Sequence, residues 1–385
     1  MSSKAKREYF NEIRERYIKS SKEDKKKILD EYCQVCGYNR KYAIRKLRGS
    51  TKSVNSTKER KKKRGRPKIY WTTGIQEFLS KTWAYTNLIC SKRLKAVIPL
   101  WLPYYKAVGH ELTEEDKKLL KKISPSTIDR ILKKYRKRYG KRGYSTTKPG
   151  SLLKELVPIK TEQWDERRPG FVEADTVAHC GNSVSGTFIY TVNLTDLSSG
   201  WMSLRAVWGK GEYHVFNAIK SIEVEIPFKI LGFDCDNGNE FLNYRLLKYF
   251  KNKSYPVSYT RSRPYKKNDN AHIEEKNWTV VRQYLGYKRF DNLKQVDMLN
   301  DLYSNELSLF INFFIPSVKL IEKYRIGSKI IKKHDKPKTP YQRLIGSKFV
   351  DKKTKIKLAK QFNKLNPFNL QKRIKIKISK VMELA

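Results

Sequence analysis

Three acidic residues stand in runs that folding could bring to one point. Asp175 lies in Phe171-Val172-Glu173-Ala174-Asp175-Thr176-Val177, Asp236 in Phe233-Asp234-Cys235-Asp236-Asn237-Gly238, and Glu274 in Asn268-Asp269-Asn270-Ala271-His272-Ile273-Glu274. Carboxylates gathered in this way suit phosphodiester chemistry, in which an attacking oxygen is activated and a leaving oxygen stabilised in line. Two divalent ions about 3.5–4 Å apart do both. Mg²⁺ takes oxygen ligands, so aspartate and glutamate are the appropriate donors. The expectation is that Asp175 bridges two Mg²⁺ ions, with Mn²⁺ an acceptable substitute, while Asp236 holds one ion and Glu274 the other. Three carboxylates buried together without cations would be strongly unfavourable. Each also has a plain alternative: a tight turn at Asp236-Asn237-Gly238, a surface helix charge at Glu274, a strand end at Asp175.

The surrounding pattern supplies elements to carry them. β-rich runs at Phe171 to Cys180, Thr187 to Leu194 and Trp201 to Val207 predict an antiparallel meander. A helix follows over Tyr213 to Glu223, then a strand Phe228 to Phe233, a helix Glu240 to Phe250, a strand Val257 to Tyr259 and a helix from about Ala271 to Leu285. Strands first, then strand and helix in alternation, specify an α/β core over 166–290 with a mixed sheet and helices on both faces. Glu173 and Asp234 precede the two aspartates by two residues, so they share the same strand face and are secondary candidates. His179 is on that face too, to orient water or substrate or as a structural histidine. Trp278 and Arg282 follow Glu274 at i+4 and i+8 along one α-helical face, which is expected to meet DNA, or else Trp278 packs in the core and Arg282 is a solvated charge.

Charge says what such a core would act on. Across 385 residues, 84 Lys and Arg against 38 Asp and Glu give a formal charge of +46. The stretch from Glu166 to Phe290 holds 18 basic and 13 acidic residues, leaving +41 in the flanks. Basic arms of this kind bind a polyanion strongly and in a salt-sensitive way, through counterion release. The partner expected is double-stranded DNA, held by a homo-oligomer. No apolar signal region opens the chain and the longest greasy run, Ala96 to Tyr105, is broken by Pro99 and Pro103, so a soluble, cytoplasmic, nucleoid-associated protein with no membrane segment is expected. Five scattered cysteines suit a reducing compartment. Cys33 and Cys36 form a lone Cys-x-x-Cys without a second pair at zinc spacing, and are expected to pack as small hydrophobes.

The flanks divide into further segments. Residues 1–57 carry two helical stretches split by Gly37, a helix-turn-helix whose Arg40, Lys41, Arg45 and Lys46 lie away from the apolar positions and would reach DNA. Residues 58–70 form a basic linker in which Arg64 and Arg66 flank Gly65, a thin backbone suited to the minor groove. Residues 71–140 read as a second, all-α helix-turn-helix-like module. It ends in a helix with Ser124 as N-cap, Pro125 at the first helical position, Ile128, Ile131, Leu132 and Tyr135 inward, and Arg130, Lys133 and Lys134 on the DNA side. Residues 141–165 are a hinge, with Ser145 to Gly150 at its centre. Residues 291–385 combine a helical extension with a small basic β-containing region, in which Arg373-Ile374-Lys375-Ile376-Lys377-Ile378 alternates as a half-buried strand should. Lys266 and Lys267 sit on a loop where they could clamp a phosphate near the cut.

From Pro169 to Phe290 the chain resembles the integrase-type catalytic core of bacterial insertion-sequence transposases, a ribonuclease-H-like fold with an Asp, Asp, Glu triad. Asp175 matches the first Asp after a β-run. Asp236-Asn237-Gly238-Asn239-Glu240-Phe241 matches the family's Asp-Asn-Gly-x-Glu-Phe, and Asp269-Asn270-Ala271-His272-Ile273-Glu274 its Asp-Asn-Ala-x-x-Glu. Motif register favours Glu274 over the adjacent Glu275. The N-terminus lacks the His-His-Cys-Cys module of retroviral integrases, so zinc is not carried over. The resemblance implies a DNA transposase that cleaves element ends and joins 3′-hydroxyls to target DNA by transesterification. A catalytically inactive DNA-binding regulator, and a ribonuclease-H-like nuclease without strand transfer, stay open beside it.

Overall fold

The computed structural model describes residues 1–49, 69–106, 111–136, 167–236, 238–261, 276–326 and 328–385. The chain divides into two compact units, Met1–Pro67 and Lys68–Ala385. In the first, three helices, α1 (Ser3–Lys19), α2 (Lys22–Cys36) and α3 (Arg40–Leu47), enclose Ile13, Ile28, Leu29, Tyr32, Ala43 and Leu47. Side-chain caps from Ser2, Ser21 and Asn39 start the helices. Gly37 ends α2 at φ +67°, a left-handed position at which only glycine carries no steric cost. Cys36 is buried in this core and Cys33 packs against it, both as free thiols.

The second unit opens with α4 (Thr73–Tyr85), α5 (Ser91–Trp101), α6 (Glu114–Lys122) and α7 (Pro125–Arg136). Ser124 Oγ accepts from Thr127 N at 3.2 Å and caps α7 over Pro125, with Ile128, Ile131 and Leu132 inward. Expected as a module of its own, this helical segment instead shares one apolar core with the sheet and the C-terminal helices. Trp101 packs edge-on against Phe310 and Phe368 at 5.8 and 4.9 Å between ring centres.

The sheet has β1 (Phe171–Ala178), β2 (Ile189–Asp196), β3 (Met202–Trp208), β4 (Gly232–Cys235) and β5 (Ser258–Arg261) in the order β3-β2-β1-β4-β5. The first three pair antiparallel, and β1, β4 and β5 run parallel. This is the mixed sheet of the ribonuclease-H-like order. α8 (Glu212–Glu225) and α9 (Tyr244–Lys251) cover one face. The other is covered by α10, a π-helical stretch Asn277–Arg282 continuing as Gln283–Leu285, and by α11 (Lys294–Leu302) and α12 (Ser308–Phe314), which a second π-helical stretch joins. β4 begins later than its apolar run suggests, and α9 starts only at Tyr244, where Asn243 caps it by accepting from Leu246 N.

Beyond α12 an antiparallel hairpin, β6 (Leu320–Ile326) and β7 (Lys329–His334), leads to α13 (Pro340–Gly346), α14 (Lys352–Asn363) and α15 (Pro367–Glu383). The region does contain β structure, but the alternating run 373–378 is helix, not strand. Ile374 belongs with Leu370 and Val381 on a buried helical stripe, whereas Ile376 is 48% exposed. Arg373 and Lys377, one turn apart, both pair at 2.5 Å with the buried Glu306. A local period of two gave way to burial at a period of 3.6, helped by Asn366 as cap and Pro367 in the first turn. Among the described residues no helix is long and apolar enough to cross a membrane.

Candidate active site

Strand pairing decides where the two aspartates meet. β1 and β4 run parallel with Ala174 opposite Cys235, so Asp175 and Asp236 are the next residues along neighbouring strands, about 5 Å apart at the backbone. Val172, Ala174, Phe233 and Cys235 point into the α8–α9 core. Asp175 and Asp236 therefore project from the opposite face, where α10 lies.

Asp175 is half-buried and fully engaged. Its Oδ1 accepts from Thr176 N at 2.7 Å and its Oδ2 from Asn277 Nδ2 at 2.6 Å. Asn277 is held in turn, its Oδ1 accepting from Asn193 Nδ2 at 2.7 Å, and Asn193 Oδ1 accepts from Thr195 Oγ1 at 3.2 Å. Asp236 Oδ1 accepts from Gly238 N at 2.9 Å. A Cβ at Gly238 would lie 2.6 Å from Glu240 Oε2 and 2.9 Å from Asp236 Oδ1, so glycine there lets both carboxylates come in. Glu240 also accepts from Thr176 Oγ1 at 3.2 Å. Burial, then the neighbouring charge of Asp236, pushes Asp175 up to about 7, against hydrogen bonds from Thr176 and Asn277 that lower it. Burial and Glu240 raise Asp236 as well, opposed by Gly238 N and Lys210. Like charges crowded in a poorly solvated place disfavour ionisation unless a cation joins them.

Glu173 and Asp234, opposite one another in the same pairing, lie deeper and are buried; Asp234 Oδ1 accepts from Thr260 Oγ1 at 2.6 Å. His179 is structural rather than a handler of water. It is fully buried against Phe290 with its Nε2 bonded to Thr191 Oγ1 at 2.8 Å, and burial pulls it down to about 3, so it is neutral. Glu274, Glu275, Lys266 and Lys267 lie outside the described residues, as do Arg64 and Arg66. Among the described residues no group of three His, Cys, Asp or Glu side chains could hold a metal ion. The donor set that is present, two adjacent carboxylates, is one that hard divalent cations take.

The helix after Glu274 differs from the expected α geometry. Its described part winds as a π-helix that begins at Asn277, the residue that reaches Asp175. Single π turns of this kind recur at functional sites. Arg282 turns inward, donating to Ala178 O at 2.7 Å and lying 4.8 Å from the Tyr287 ring centre, which corrects its expected place on a DNA face. Asn277 and Glu240 were missed from sequence. The available signals were position i+3 after Glu274 and membership of the Asp236 to Phe241 run.

The other basic candidates fall into two groups. On α3, Lys41 and Arg45 are exposed, Arg40 pairs with Asp30, and Lys46 is half-buried among aromatic rings, 4.7 Å from Tyr38 and 5.0 Å from Phe10. Lys46 is thus part of the packing, not of an outer face. On α7, Arg130, Lys133 and Lys134 converge on a cavity of about 420 Å³ that Trp71 and Gln76 also line. Lys134 Nζ donates to Gln76 Oε1 at 2.5 Å.

No family model matches the chain. The uncharacterized protein y4rM of Sinorhizobium fredii is 36% identical over 340 residues, spanning 87% of this chain and 94% of its own length. Among solved structures, the integrase catalytic core domain of HTLV-2, in complex with magnesium, is 16% identical with a TM-score of 0.28 and covers 39% of this chain and 91% of its own. The catalytic core domain of BIV integrase is 14% identical with a TM-score of 0.26, covering 45% and 91%.

Proposed function

The chain belongs to the family of the Sinorhizobium fredii protein y4rM, and from its paired carboxylates we propose that it is a DNA transposase. The observation that carries this reading is Asp175 on β1 beside Asp236 just past the end of the parallel β4, each raised by burial and a neighbouring carboxylate. Asp175, Asp236 and Glu274 would hold Mg²⁺ or Mn²⁺. Bound there, the cations would supply charge neutralisation for the attacking and leaving oxygens. The chain's own part is to fix the site: Asn277 and the Thr176 amide orient Asp175, and the Gly238 amide orients Asp236.

At the element end, a water oxygen attacks phosphorus and the 3′-oxygen leaves as a free hydroxyl. That hydroxyl then attacks a target phosphodiester, displacing a target 3′-oxygen, so one bond forms as another breaks and no protein–DNA covalent link is needed. The basic groups of α3 and α7 hold the duplex, and a homo-oligomer brings two ends together. Glu274 precedes Asn277 by three residues, and Asn277 touches Asp175, which favours Glu274 as the third carboxylate.

With the purified chain, Mg²⁺ and DNA bearing the element's ends, Asp175→Asn or Glu274→Gln should lower cleavage and joining by about 10³-fold or more while end binding stays nearly intact. Metal-dependent cleavage persisting in either variant overturns the assignment. Cleavage by the wild type without joined products would reduce it to a nuclease.

A further inference from the structure

We propose that the basic cleft at the start of β1, remote from the carboxylates, is a second site for the DNA backbone. The inference rests on the DNA-processing reading above. The cleft, about 380 Å³, is lined by Arg167, Lys319, Lys338, Arg343 and Lys348, with Phe349 at its rim and, among the described residues, no acidic side chain in its wall. Two of these cations are fixed in place. Arg343 is tied to Asp335 at 2.5 Å and to Ser317 O at 3.1 Å, and the Lys319 ammonium donates to Leu197 O. Lys338 and Lys348 are exposed and, among the described residues, have no carboxylate partner. Asp335 neutralises Arg343, but the exposed ammonium groups of Lys338 and Lys348 at the same hollow have, among the described residues, no such carboxylate, and phosphate is an anion that arginine forks and lysine charges meet well.

The chemistry at the rim favours a nucleic-acid phosphate over a free one. Phe349 is 44% exposed, with the Lys348 ammonium 5.2 Å and the Arg168 guanidinium 6.0 Å from its ring centre. An open hollow with an aromatic plate and lysines beside it can follow a polymer backbone. Its place in the fold agrees. Leu197 N donates to Phe171 O at 2.9 Å, which puts the cleft at the beginning of β1, whereas Asp175 is four residues further, about 13 Å along the strand. DNA touching both would have to extend about four base pairs or more beyond the scissile phosphate, at about 3.4 Å per pair.

The test uses the full chain and its Lys338→Gln/Lys348→Gln variant, both changes on the surface, with binding of a long random-sequence duplex followed against salt. Losing two phosphate contacts should flatten the slope of log affinity against log salt by about 2, and thermal melting should show the fold intact. The Asp175 chemistry on a duplex ending just past the scissile phosphate should be unchanged. A wild-type slope retained by the variant overturns this site while leaving the transposase reading in place. Failure of the wild type to bind DNA sinks both. Displacement of the duplex by low millimolar inorganic phosphate from the wild type but not the variant would assign the cleft to a free anion and overturn the proposal.

Discussion

The two faces of the five-stranded sheet are made from alternate residues of the same strands and both bury apolar side chains, yet they differ at the centre, where β1 lies beside β4. Toward α8 and α9 stand Val172, Ala174, Val192, Leu194, Phe233 and Cys235, a dry apolar layer. Toward α10 to α12 the same strands present Glu173, Asp175, Asn193 and Asp234, with Asp236 just past the end of β4, among the apolar Val177, Ile189, Met202 and Leu204. One face lowers the free energy of the fold by removing hydrocarbon from water. The other places acids where burial disfavours their charge, held by hydrogen bonds from Asn277, Thr260 and backbone amides. A stable layer behind a destabilised one is how a scaffold keeps strained polar groups at fixed positions.

The sharpest break between the faces is a pair of substitutions on the neighbouring strands β1 and β4. Phe233→Ala, on the apolar face, should cost about 3–5 kcal/mol of stability, seen in denaturant unfolding. Asp175→Asn, on the polar face, should remove catalysis without lowering stability. If the two variants lose stability equally, the contrast between faces is wrong.

Asn277→Ala should come next. Taking away the donor to Asp175 Oδ2 should lower turnover by about 10–100-fold, the usual cost of losing a residue that orients a metal ligand, with DNA affinity kept. Equal loss of DNA binding would mean that α10 itself had shifted.

A pH series then separates the charge from the packing. Asp175 is raised in the fold from its ordinary 3.8 to about 7. Its contribution to stability is therefore full below about pH 4 and is lost as pH rises through about 7, since the unfolded chain ionises first. In chelator, wild-type protein should lose a few degrees of melting temperature relative to Asp175→Asn between about pH 5 and pH 8. Mg²⁺ should return that loss to the wild type and do nothing for the variant. Parallel melting curves across this range would remove the acid pair as the source of the difference.

The smallest expected effect is at the far end of the hydrogen-bonded relay. Thr195→Val removes a bond to Asn193 at 3.2 Å and should change turnover a few-fold at most, with stability altered by about 1 kcal/mol. A loss as large as that of Asn277→Ala would show that the relay is rigid along its whole length.

Much of this architecture was legible because its signals are local. The β-rich runs at Phe171 and Trp201, the helix near Tyr213, and Ser124 with Pro125 ahead of α7 all follow from side-chain period and capping. The run 373–378 misled because alternate isoleucines fit a strand locally, while the choice was made by Glu306 and the apolar residues under α15. Arg282, at i+8 from Glu274, and Lys46, away from the apolar positions of its helix, were placed outside by helical period, although their contacts draw them in toward Ala178 and the Tyr38 ring.

The chain by itself determined which residues alternate on each strand, where helices start, and that its arms carry the positive charge. It also singled out Asp175, Asp236 and Glu274 as carboxylates expected to meet. Only tertiary structure decided that β1 would lie beside β4, that a π turn would deliver Asn277 to Asp175, and that residues 71–136 would join the main core. The reason is physical: period and capping act over a few residues, whereas parallel strand pairing and helix docking depend on which distant apolar surfaces exclude water together.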